Sequence, residues 1–123
     1  LNKFFKIDLL NTTLYLLNMK NNYPSICIPY TTNNISKNTI SYIFVKLLNV
    51  NCIERIDLVT KYDKNNNTYK VVFIHLIEWP NNEKAQNLRK KLLDDSHINI
   101  VYNSMLFLPC YASKSIKPTI VKY

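Results

Sequence analysis

The sequence predicts an α+β sandwich, with a four-stranded antiparallel sheet and two helices on one of its faces. Three observations carry this. Apolar residues recur at every second position in four short runs and at helical spacing in two others. The runs follow in the order strand, helix, strand, strand, helix, strand. Each helix therefore follows a strand that needs one face covered, which is the split βαβ unit taken twice, a ferredoxin-like βαββαβ order.

Residues 1–24 form an apolar extension. Phe5, Ile7 and Leu9 alternate, as do Leu14 and Leu16, so a strand pair fits. A short helix capped by Thr12 or Thr13 fits equally. Asn21-Asn22-Tyr23-Pro24 reads as a linker. The domain proper is expected over residues 25–103. Its first strand, Ser25-Ile26-Cys27-Ile28, closes at Pro29, which has no N–H to give a ladder. Ser36 is placed to cap a helix whose stripe is Ile40, Ile43, Phe44, Leu47 and Leu48.

The second strand sets Ile56 and Leu58 on one face and Arg55, Asp57, Val59 and Lys61 on the other. After the polar loop Asp63–Asn67, the third strand sets Val72, Ile74 and Leu76 against Val71, Phe73 and His75. Asn82 caps a second helix with Ala85, Leu88, Leu92 and Leu93 as its stripe. Lys84, Arg89, Lys90 and Lys91 read as its solvated side. Ile98, Ile100 and Tyr102 alternate as the fourth strand. Residues 104–123 form a C-terminal extension. Within it, Met105–Leu108 is one more strand or a docked stretch, Pro109 a stop, and the remainder a basic tail.

Composition narrows function. Glycine is absent, so glycine-built phosphate loops are excluded, and turns must use Asn, Asp, Ser and Pro. The three cysteines form no CxxC pair, and His75 and His97 complete no ligand spacing, so neither a metal nor another cofactor is expected. Unpaired thiols suit an intracellular, reducing compartment. No apolar run reaches the ~18–20 residues that span a bilayer, so no membrane partner is expected. No Ser/His/Asp or Cys/His grouping is visible along the chain, and the expectation is a binding module rather than an enzyme. The net charge of +8 favours an anionic partner, nucleic acid first; a lysine-rich solvated surface is the alternative.

Ile26-Cys27-Ile28-Pro29-Tyr30-Thr31 and Tyr69-Lys70-Val71-Val72-Phe73-Ile74-His75-Leu76 resemble the first-strand hexamer and third-strand octamer of the RNA-recognition-motif family. Ile53-Glu54-Arg55-Ile56-Asp57, Val72-Phe73-Ile74-His75 with Trp79, and Ile98-Asn99-Ile100-Val101-Tyr102 resemble small domains of this type in large DNA viruses. The first resemblance implies single-stranded RNA stacked on aromatic side chains of the open sheet face. Its matching positions are Cys27, Val71 and Phe73, of which Phe73 alone is aromatic. Arg55, Lys61 and His75 share that face by parity, Tyr69 stands at the strand end, and Lys114 and Lys117 lie on the tail. These nine residues are the expected nucleic-acid contacts. The second resemblance implies a viral protein, located in host cytoplasm or virion. The thinned aromatic set and the apolar flanks fit a second reading, a protein-interaction or virion structural module that self-associates or clamps a partner.

Overall fold

The computed structural model describes residues 20–94, 96–103 and 106–113. These form β1 (Ser25–Thr31), α1 (Lys37–Leu48), β2 (Ile53–Tyr62), β3 (Thr68–Leu76), α2 (Glu83–Leu93), β4 (Ile98–Asn103) and β5 (Leu106–Ser113). Among the described residues the class is α+β, with one antiparallel sheet and two helices. The sheet has five strands rather than the expected four, in the order β2-β3-β1-β5-β4.

The fifth strand displaces the fourth. β5 lies beside β1, and β4 pairs outside it through Ile98↔Cys110 and Ile100↔Leu108. Pro109 does not stop the strand, for a reason that lies in β1. The β1–β5 ladder runs Ser25↔Ser113, Ile26↔Ala112, Cys27↔Tyr111 and ends there. Two residues further in that register, Pro29 would face Pro109, and neither ring nitrogen carries a hydrogen to donate. Each proline thus sits where its strand has a neighbour on one side only. Pro29 also falls inside a register shift between Ile28 and Thr31 against β3.

Paired residues share a face, so the register sorts the side chains. Ile26 and Ile28 stand with Ile56, Val72, Ile74, Leu76, Ile100, Leu108 and Cys110 in one buried cluster. Ile40, Ile43, Phe44 and Leu48 of α1 and Ala85 and Leu92 of α2 complete it, which puts both helices on the same face of the sheet. Burial at this density is the main favourable term for a domain of this size.

Side chains from turn-forming residue types close the elements. Ser36 Oγ accepts from Thr39 N–H at 3.1 Å to start α1, and Asn82 Oδ1 accepts from Ala85 N–H at 2.8 Å to start α2. Asn82 Nδ2 also donates to the Leu48 carbonyl at 3.0 Å, which ties the end of α1 to the start of α2. Asn49 at the end of α1 (φ 64°) and Asn66 in the β2–β3 turn (φ 66°) take the left-handed conformation that glycine would otherwise supply.

Residues 20–24 are a packed strap, not a loose linker. The indole of Trp79, 5% exposed, donates to the Pro24 carbonyl at 3.1 Å, and Trp79 N–H donates to the Asn21 carbonyl at 2.7 Å. Arg89 reaches off α2 to donate to the carbonyls of Tyr23 at 2.8 Å and Lys20 at 2.7 Å. Arg89 therefore does not belong to a solvated lysine face. Desolvation lowers its pKa, and its fork of N–H donors suits two carbonyls at once.

Candidate nucleic-acid interface

The sheet face opposite the helices is built from the alternate residues of all five strands. One row crosses four of them, Asp57↔Phe73↔Cys27↔Tyr111. A second holds Arg55↔His75 beside Ser25↔Ser113. Val59↔Val71 and Lys61↔Tyr69 continue it at one end, and Asn99↔Pro109 and Val101↔Phe107 at the β4–β5 edge. Cys27, Val71, Phe73, Tyr69, Arg55, Lys61 and His75 thus share one face, as their alternation along the strands predicts. Lys114 and Lys117 lie outside the described residues.

The face holds more rings than alternation along single strands reveals. Tyr30 stacks on Tyr69 with ring centroids 5.0 Å apart and planes 29° from parallel. His97 stacks on Tyr111 at 5.6 Å and 28°. Phe107 is 61% exposed beside Val101 at 60%. Half-buried Phe73 shares this face, with Val71 between it and Tyr69 along β3 and Cys27 between it and Tyr111 across β1. Tyr111 could have been found by continuing the alternation of β5 through Pro109. Tyr30 could not: strict alternation puts it on the face of Ile26 and Ile28. The register shift between Ile28 and Thr31 reverses that, leaving Thr31 on the helix side and Tyr30 on the open side.

The polar residues are linked to one another. Ser25 Oγ and His75 Nδ1 are 2.7 Å apart, and His75 Nε2 lies 3.1 Å from Asp57 Oδ2. Arg55 Nε donates to the same carboxylate at 3.1 Å. Nε2 donates to the Asp57 carboxylate, and Nδ1 pairs with the Ser25 hydroxyl, which can serve as donor or acceptor. His75 and Ser25 are each only 6% exposed. Both ring nitrogens of His75 are thereby occupied, and its effect on the face passes through Asp57 and Ser25. Serine, histidine and aspartate do meet here, which no spacing along the chain announces. Ser25 opens β1 and pairs with Ser113 of β5.

Charge on this face is modest. Arg55 is engaged by Asp57, with side-chain exposures of 34% and 38%, and exposed Lys61 stands beside Tyr69 at the far end. The thiols are quiet. Burial raises the pKa of Cys27, and burial with Cys27 nearby pushes that of Cys110 up to about 12. Among the described residues no helix is long and apolar enough to cross a membrane. The chain matches no family model, no curated protein and no solved structure.

Proposed function

We propose that the chain is a non-catalytic nucleic-acid-binding module of RNA-recognition-motif type that takes single-stranded RNA on the helix-free sheet face. In this reading β1, β2, β3 and β5 fill the four positions of a ferredoxin-like sheet, and β4 is an added edge strand. The observation that carries the proposal is a set of rings on one sheet face of a chain with net charge +8: Tyr30 stacked on Tyr69, Phe73 further along the same face of β3 beyond Val71, and Tyr111 with His97 across β1 beyond Cys27. Base–aromatic stacking is worth ~1–3 kcal/mol per base and tolerates any base, because every base has a π face. Arg55 and Lys61 supply phosphate contacts at the β2 side. His75 is a positioning residue that holds Asp57, and through it Arg55, in place.

The test is the affinity of a fluorescent single-stranded RNA for the wild type and for Phe73→Leu, which keeps apolar volume and removes the ring. The proposal expects a loss of about fivefold to about 150-fold at unchanged thermal stability. Equal affinities for the two proteins would reject it.

A second reading, a protein-interaction module, is favoured by one observation. Val101 and Phe107 are directly paired at the sheet edge and both are about 60% exposed, an apolar patch beside Tyr111. Sedimentation separates the readings. A monomer that shifts only on adding RNA supports the first, and a concentration-dependent dimer lost in Phe107→Ser supports the second.

A further inference from the structure

On the other side of β4 lies a cleft of about 600 Å³ between the helices and the sheet edge. Ile43 and Leu47 of α1 and Ile100 of β4 supply its apolar lining. Lys46 and Lys84 line it from the two helices, and among the described residues no acidic one does. Tyr42 and Tyr102 add two phenols, with Lys46 Nζ donating to the Tyr42 hydroxyl at 3.4 Å. The third wall is β4 itself, through the consecutive residues Ile100, Val101 and Tyr102.

β4 is the terminal strand of the sheet, and among the described residues no strand pairs with its outer side. Half of its backbone N–H and C=O groups therefore point away from β5, along the wall of the cleft. An extended peptide satisfies such an edge directly, and alternate side chains then fall toward the helices. The chemistry of those side chains follows from the lining. Apolar groups pack on Ile43, Leu47 and Ile100, and carboxylates pair with Lys46 and Lys84. A second copy of this chain is disfavoured, because a molecule of net charge +8 brings further lysine rather than acid to a lysine-lined cleft.

We infer that this cleft is a docking site for an acidic, extended segment of another protein, which adds to the sheet as a strand beside β4. The site lies on the helix side of the sheet, so it is separate from the face proposed for RNA and stands or falls independently of it.

The probe is an end-capped, fluorescein-labelled octapeptide, EELVEELV, whose period places both acid and apolar groups on either face of a strand. Anisotropy should show saturable binding. Amide NMR should place the largest shifts at Leu47 and Ile100–Tyr102. The double variant Lys46→Glu/Lys84→Glu, both surface positions, should weaken binding at least about tenfold. A peptide N-methylated at alternate residues should also bind weakly, since it loses the edge hydrogen bonds. The KKLVKKLV counterpart should not bind, and Phe73→Leu should bind EELVEELV as the wild type does. The inference is overturned by no saturable binding, by equal binding of the N-methylated peptide or of the charge-reversed protein, or by shifts confined to the Cys27–Tyr111 face. Self-association through β4 that excludes the peptide also overturns it.

Discussion

His75 shows how a residue read as a contact becomes a support. By parity it belongs to the open face, and its register with Arg55 confirms the side. Parity does not say that Ser25 and Asp57 close both ring nitrogens. Ser25→Ala leaves a buried ring nitrogen without its partner, and we expect a loss of about 1–3 kcal/mol in denaturant unfolding. Asn82→Ala removes both a helix cap and the link to the Leu48 carbonyl, and we expect about 1–2 kcal/mol by the same measurement.

Cys110 sets a limit at high pH. Its folded pKa, about 12, stands above the ordinary 9.0, so the folded state keeps a proton that the unfolded chain loses. Stability from this group is full below pH 9.0 and falls between 9.0 and about 12, by at most about 1.4 kcal/mol per pH unit. Cys110→Val should flatten that part of the stability–pH curve relative to the wild type. An identical curve for the two proteins would remove the assignment.

At the scale of elements, most of the sandwich was legible. Two helices and four strands announce themselves by period, and the caps Ser36 and Asn82 by residue type. Two things were hidden, both non-local. The start of β5 is offered by the apolar run Met105–Leu108, but its continuation to Ser113 is hidden, because Pro109 is a strand breaker by local rules yet is tolerated where the β1–β5 ladder has already ended before Pro29. Arg89 was grouped with its lysine neighbours, because only the fold brings the Tyr23 and Lys20 carbonyls to it. Arg89→Ala should release the strap at residues 20–24, costing about 1.5–3 kcal/mol for the charged hydrogen bonds. Limited proteolysis should then cut near Tyr23 faster than in the wild type. Of the proposed site, Phe73, Arg55 and Lys61 follow from alternation. Tyr30 and the His97–Tyr111 stack require the β1 register shift and the β5 pairing, which alternation within one strand cannot supply.

At the scale of the whole molecule, a ring-bearing sheet face belongs to a chain of net charge +8. If phosphate contacts contribute, log affinity for single-stranded RNA should fall linearly with log salt, by about 0.7 per phosphate neutralised. RNA binding on the sheet face is tested by an amide NMR titration of the wild type with a single-stranded RNA oligonucleotide. Binding on the sheet face should shift Tyr30, Tyr69, Val71, Phe73, Cys27 and Tyr111 and leave α1 and α2 quiet. Saturable shifts on the helices, or none on the row Asp57–Phe73–Cys27–Tyr111, would contradict it.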